Sequence, residues 1–118
     1  MTTENRGSNL PQIIENQPKH DSTFHVESLG SGSFTTFFTF RGYGIIKALT
    51  FTLPAIQASS RVFVSISEFN SDAQINRIIG DAKMAVYNVA PFNGGFLAWV
   101  EISWDEPLNV RFDVLIDP

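Results

Sequence analysis

Cysteine is absent from the chain. Its absence excludes disulfide bonds, metal sites with thiolate ligands and a cysteine nucleophile. Charged residues are also few, at 17% of the 118 residues, and the formal net charge is −4. Because the basic residues form no cluster, the sequence predicts no nucleic-acid partner.

Long apolar runs are missing as well. No stretch approaches the roughly 20 apolar residues that a membrane-spanning helix needs, so no membrane span is predicted. The first nine residues, Met-Thr-Thr-Glu-Asn-Arg-Gly-Ser-Asn, lack the apolar segment of a secretory signal. This start is compatible with a cytoplasmic protein and equally with release by a route that uses no such signal.

Phenylalanine is abundant, with 11 copies, and it occurs in segments that alternate between apolar and polar residues. Residues 96–104 and 108–116 both alternate in this way. A period of two is typical of half-buried β-strands. The apolar face is made of Phe96, Ala98, Val100, Ile102 and Trp104 in the first run and Leu108, Val110, Phe112, Val114 and Ile116 in the second.

Two turn signals separate the strands of this region. Asn93-Gly94 is a strong hairpin signal because both residues accept a positive φ at low cost. Asp105-Glu106-Pro107 is a second tight turn, in which proline fixes φ and needs no ladder hydrogen bond. Residues 83–116 are therefore predicted to form an antiparallel meander of three strands with one apolar face.

Three earlier segments, residues 34–40, 45–53 and 61–67, are dense in β-forming residues. Residues 74–79 fit a strand or a helical turn, and we favour a strand. The predicted inward face of the second segment consists of Ile45, Leu49, Phe51 and Leu53, with Lys47 on the same side; that of the third is Val62, Val64 and Ile66.

Short strands at short spacing predict an all-β domain. We expect an antiparallel β-sandwich of about six to eight strands over residues 23–118. Residues 1–22 are polar and precede it as an arm. This arm either is flexible or docks through Ile13 and Ile14 on this subunit or a neighbouring one.

The sequence contains no recognisable catalytic or metal-binding pattern. His20 and His25 lie near Asp21 and Glu27, but their spacing matches no metal template. No nucleophile elbow is present. We therefore predict that the protein is not an enzyme and that it uses neither a metal nor another cofactor.

The two tryptophans each have two interpretations. Trp104 shares the parity of the inward residues, so it is either a tryptophan at the edge of the core or a surface on which a sugar ring stacks. Trp99 has outward parity and lies beside Leu97. This pair predicts an oligomer interface or a ligand platform, which Phe37 and Tyr87 would extend, and we favour the interface.

Arg77 lies between the apolar residues Ile75 and Ile78. One interpretation is a charge at the rim of the domain, paired with a local carboxylate such as Asp72 or Asp81. The other is a fixed fork of donors for the hydroxyls or carboxylates of a ligand.

From about Lys47 onward, a series of short motifs occurs in a characteristic order: Thr50-Phe51-Thr52 and a loop with Pro54, Val64-Ser65-Ile66, Asn76-Arg77-Ile78-Ile79, Val89-Ala90-Pro91, Gly95-Phe96, and Trp104 at the turn into the last strand. Each motif is common alone. In this order they resemble the H-type lectins, the family of GalNAc-binding snail agglutinins and the discoidin C-terminal domain.

This resemblance implies a sugar site at a subunit boundary. Arg77, Trp104 and Asp105 would contact the sugar, and Asp72 would come from the turn of a neighbouring subunit. The resemblance also implies GalNAc-type or galactose-type ligands and a trimer, sometimes doubled to a hexamer. One difference is that the last strand of the family usually carries a tryptophan, whereas this chain has Asp113 and aliphatic residues there.

The sequence therefore leads to two hypotheses about function. The first is a carbohydrate-binding, lectin-like domain without catalysis that gains avidity as a multivalent homo-oligomer. The second is a structural or assembly module, such as a fibre, virion or appendage component, that self-associates through its aromatic face.

Overall fold

The computed structural model describes residues 18–20, 27–28 and 32–118, and these form β-strands joined by turns and loops, with no helix. The strands are β1 (Lys19–His20), β2 (Glu27–Ser28), β3 (Phe34–Gly42), β4 (Gly44–Thr52), β5 (Arg61–Phe69), β6 (Arg77–Ile78), β7 (Lys83–Phe92), β8 (Gly95–Ser103) and β9 (Leu108–Asp117). Most of the predicted N-terminal arm, including Ile13 and Ile14, lies outside the described residues.

Two antiparallel sheets pack face to face and confirm the predicted β-sandwich. The larger sheet has the order β1-β3-β9-β5-β6, and β2 also pairs with β3. The smaller sheet has the order β4-β8-β7. We call them the six-stranded and the three-stranded sheet.

The core between the sheets is built around aromatic rings. Phe51 of the three-stranded sheet stacks on Phe96 of the same sheet, with 4.4 Å between ring centroids. It meets Phe38 and Phe112 of the six-stranded sheet edge-on, at 5.1 and 5.0 Å. All four rings are buried, so Phe51 joins the two layers.

The alternation predicted the inward positions of β5, β8 and β9 correctly. Their inward residues are buried or pack against the core, apart from Trp104, which follows the end of β8. The Asn93-Gly94 hairpin between β7 and β8 is also confirmed, with Gly94 at φ +108°. Gly94 donates a hydrogen bond to the carbonyl of Ile56 at 2.8 Å and accepts one from Leu53 at 2.9 Å, which fixes the loop after β4.

The predicted meander is wrong at its last step. β9 pairs with β3 and β5, not with β8, so residues 104–107 cross from one sheet to the other. A second crossing joins β3 to β4 through Tyr43, and Gly44 adopts φ +86° there. Alternation identifies the apolar face of a strand, but it does not specify which sheet buries that face.

Two smaller predictions also need correction. In β4, Ile46 is buried and Lys47 is exposed, because a bulge shifts the register between Ile46 and Leu49. Ile45 therefore points away from the core. Within residues 74–79, only Arg77–Ile78 pairs as a strand, and residues 73–75 form a turn.

Candidate functional site

The segment that links β5 to β6 and the crossing from β8 to β9 lie at the same end of the sandwich. Glu68 near the end of β5 pairs with Ile78 of β6 and with Val110 near the start of β9. The crossing, residues 104–107, ends where β9 begins. This end therefore carries all four residues predicted to bind a ligand: Asp72, Arg77, Trp104 and Asp105.

Asp72 organises the turn before β6. Its carboxylate accepts a hydrogen bond from the backbone N–H of Gln74 at 2.9 Å. Its carbonyl accepts bonds from the N–H groups of Ile75 at 3.2 Å and Asn76 at 2.8 Å. This is the local turn that an aspartate side chain favours, and it leaves the exposed carboxylate partly engaged.

Arg77 lies on the outer face of the six-stranded sheet, opposite Phe69. Its Nη1 atom forms an ion pair with Oδ2 of Asp113 at 3.3 Å. The predicted pairing with Asp72 or Asp81 is therefore wrong: the carboxylate comes from β9, far along the chain. Sequence proximity could not reveal this partner, since the pairing depends on the strand order.

Arg111 holds Asp113 in place. Its Nε and Nη2 atoms both donate to Oδ1 of Asp113, at 2.9 and 2.7 Å, so one carboxylate oxygen accepts two charge-assisted hydrogen bonds. Its Nη1 atom donates to the carbonyl of Ala73 at 2.7 Å and ties the turn before β6 to the sheet. The guanidinium lies 3.9 Å from the ring centroid of Phe37, which is buried.

Trp104 and Asp105 lie in the crossing between the sheets. The indole of Trp104 is not part of the core, because the residue is 40% exposed. Its backbone N–H donates to the carbonyl of Ile102 at 2.8 Å, and Asp105 is exposed. Within the described part of the chain, no hydrogen bond or ion pair joins these two residues to Arg77.

A second group of residues lies on the outer face of the three-stranded sheet. Trp99 is 36% exposed and Tyr87 is 56% exposed, and their ring centroids are 5.5 Å apart. The Nζ atom of Lys47 lies 5.2 Å from the centroid of Trp99. The suggestion that Tyr87 extends the Trp99 surface is therefore confirmed, but Phe37 does not extend it, since Phe37 belongs to the other sheet.

Glu101 completes this group. The hydroxyl of Tyr87 donates a hydrogen bond to Oε1 of Glu101. This hydrogen bond, followed by desolvation and by the negative charge of Glu101, raises the pKa of Tyr87. The sequence pattern predicted neither a role for Glu101 at the site nor the outward position of Lys47.

The signal for that arrangement was present in the spacing. Inward residues of β4 and β7 follow a period of two except at one step each, where three positions separate Ile46 from Leu49 and Val86 from Val89. Such a step in a strand marks a β-bulge.

The described residues contain no group of three or more His, Asp or Glu side chains able to hold a metal ion. The side chain of His20 and all of His25 lie outside the described part, so the expectation that they form no metal site stays a prediction. A search of the same part for a long apolar helix that could span a membrane found none.

Comparison of the chain with protein-family models, with curated proteins and with solved structures found no match. Similarity therefore assigns no family, and the resemblance to the H-type lectins stays a prediction.

Proposed function

We propose that this protein is a carbohydrate-binding, lectin-like domain that has no catalytic activity and acts as a multivalent oligomer. The observation that carries the proposal is the fixed position of Arg77 on an exposed face. Asp113 engages one of its nitrogens at 3.3 Å, and Arg111 in turn fixes Asp113. A guanidinium has five N–H donors, so the remaining donors are available for sugar hydroxyls in a defined orientation.

The same end of the sandwich supplies the other chemistry that a sugar requires. The exposed indole of Trp104 offers an apolar surface for the C–H face of a pyranose. The carboxylates of Asp105 and Asp72 are exposed acceptors for hydroxyl groups. The resemblance to H-type lectins implies that these groups act together across a subunit boundary and bind GalNAc-type or galactose-type sugars.

Exposed isoleucines on both sides of Arg77 support the oligomeric part of the proposal. Ile79 is fully exposed and Ile75 is largely exposed, next to the short edge strand β6. Exposed apolar groups of this size are typical of surfaces that contact another protein. A second copy that covers them would bring its own residues close to Arg77 and complete the site.

A glycan array tests this proposal, with the mass in solution measured by light scattering on the same sample. We expect a trimer or hexamer that binds a defined set of terminal sugars and is released by the free sugar. Arg77→Ala should abolish binding. Arg41→Ala is the matched control, because Arg41 is exposed on the same sheet and bonds only Asn109 among the described residues. Equal binding by the wild type and Arg77→Ala would overturn the assigned site.

The second candidate is an assembly module that self-associates through its aromatic face. The exposed Tyr87, Leu97 and Trp99 on the three-stranded sheet favour it. An oligomer that binds no glycan on the array, and that dissociates when Trp99 is changed to alanine, would replace the lectin proposal with this one.

A further inference from the structure

Both β-bulges of the three-stranded sheet occur opposite the same residue. In β4, Lys47 and Ala48 lie between successive pairings, where β8 has only Trp99. In β7, Tyr87 and Asn88 likewise face this single position. A bulge inserts one residue and redirects side chains, and bulges are frequent near functional sites. Two bulges opposite one tryptophan indicate that both strands are shaped to bring side chains together around it.

The bulges bring an aromatic pair and three polar groups together. Trp99 and Tyr87 are neighbours at 5.5 Å with 57° between their ring planes. The ammonium of Lys47 lies over the indole, 5.2 Å from the ring centroid, and Glu101 accepts the hydroxyl hydrogen of Tyr87. We call this set, Lys47, Tyr87, Trp99 and Glu101, the Trp99 platform.

We propose that the Trp99 platform is a carbohydrate-binding site of its own, separate from the site at Arg77, that takes a pyranose ring on Trp99 and Tyr87. This inference rests on the proposed function and deepens it. Trp99 and Tyr87 are 36% and 56% exposed, so part of their apolar ring surface is available to the C–H face of a sugar. Lys47 provides N–H donors, and the second carboxylate oxygen of Glu101 and the lone pairs of the Tyr87 hydroxyl provide acceptors, so they can bond the hydroxyls at the ring edge.

The platform suits a sugar better than a second copy of the chain. Its centre contains a lysine and a glutamate, and these residues are depleted from the cores of protein interfaces. The fully exposed Ile79 and the largely exposed Ile75, which are apolar and uncharged, flank β6 of the other sheet. That region is the better candidate for contact between copies.

Trp99 and Arg77 lie on opposite outer faces of the sandwich. Trp99 lies mid-strand on the outer face of the three-stranded sheet, whereas Arg77 lies on the outer face of the six-stranded sheet, with the core between them. Each subunit of the oligomer would then contribute residues to two kinds of sugar site, so the oligomer could bind glycans on two different surfaces.

The chain contains two tryptophans, and one lies in each proposed site. Protein with isotope-labelled tryptophan would be titrated with the methyl glycosides of GalNAc, galactose, GlcNAc, glucose and mannose. The indole N–H signals would be followed by NMR and assigned with Trp99→Phe and Trp104→Phe. We expect at least one glycoside to shift the Trp99 signal in a saturable way.

Two variants separate a binding surface from a nonspecific effect. Tyr87→Ala should weaken the titration at Trp99 by about tenfold, since one stacking partner is lost. Phe63→Ala should leave it unchanged, because Phe63 is a comparably exposed aromatic residue on the other sheet.

The tryptophan signals distinguish failure of this inference from failure of the proposed function. A shift at Trp104 alone overturns the platform and leaves the site at Arg77. A shift at Trp99 alone supports the platform and removes the other site. No shift at either signal overturns both, and so does an oligomer that Trp99→Ala dissociates while glycan binding is absent.

Discussion

The two outer faces of the sandwich use the same pair of groups, a cation and an aromatic ring, with different results. On the six-stranded sheet, the guanidinium of Arg111 covers Phe37, which is only 6% exposed. On the three-stranded sheet, Lys47 lies beside Trp99, yet more than a third of Trp99 stays exposed.

The hydrogen bonds of the cation explain this difference. Arg111 is held by hydrogen bonds to Asp113 and to the carbonyl of Ala73, so its guanidinium stays over the ring of Phe37 in a defined position. Among the described residues, no hydrogen bond or ion pair fixes the ammonium of Lys47, which sits on a flexible stem. The first face therefore holds its aromatic ring under a fixed guanidinium, and the second leaves part of its aromatic surface exposed.

Truncation of a buried ring in the core between the two faces should have the largest effect on the free energy of unfolding. Phe51→Ala deletes a ring that contacts Phe38, Phe96 and Phe112, and we expect a loss of about 3–5 kcal/mol in the free energy of unfolding. Urea denaturation measures it. Phe63→Ala, which removes a ring that is 60% exposed, is the control and should cost far less. Equal losses would show that Phe51 does not join the sheets.

Arg111→Ala tests whether the first face is structural. The change uncovers Phe37 and removes the hydrogen bonds to Asp113 and Ala73, so we expect a loss of about 2 kcal/mol. Arg41→Ala removes an exposed arginine from the same face and should cost below about 0.5 kcal/mol.

Urea denaturation of both variants and of Arg111→Lys measures this difference. The lysine variant keeps the charge but loses the planar fork, so its stability should lie closer to that of Arg111→Ala than to the wild type. Identical stabilities for Arg111→Ala and Arg41→Ala would contradict the structural role.

Local patterns predicted the fold class and most of the inward positions. Val62, Val64 and Ile66 could be assigned because a period of two is a local property of a strand. The sheet that β9 joins could not be assigned in this way, because β9 has an apolar face that either sheet could bury. Strand order depends on the whole chain, and that is also why the partner of Arg77 was assigned wrongly.

The candidate sites were predicted only in part for the same reason. The outward position of Trp99 followed from alternation, and its contact with Tyr87 was suggested. The outward position of Lys47 was not predicted, since the bulge after Ile46 would have to be recognised first. Phe37 was placed on the wrong face because parity within one strand does not specify the sheet to which that strand belongs.

The smallest expected effect concerns the hydrogen bond between Tyr87 and Glu101 on the outer face of the three-stranded sheet. The pKa of Tyr87 is raised, first by the hydrogen bond that its hydroxyl donates to Glu101, then by desolvation and by the charge of that carboxylate. The neutral phenol is the form that donates. Its stabilising contribution is therefore complete below the ordinary tyrosine pKa of about 10 and is lost as the pH rises through the raised value.

Glu101→Gln should lower the pKa of Tyr87 toward its ordinary value, because the negative acceptor becomes a neutral one. In a Tyr43→Phe background Tyr87 is the one remaining tyrosine, so the ultraviolet absorbance of its ionised form gives the pKa directly. Glu106→Gln, in the crossing after β8, is the control and should leave the midpoint unchanged. If Glu101→Gln also leaves it unchanged, Glu101 does not hold the hydroxyl of Tyr87, and the platform has lost the acceptor that would orient a sugar on it.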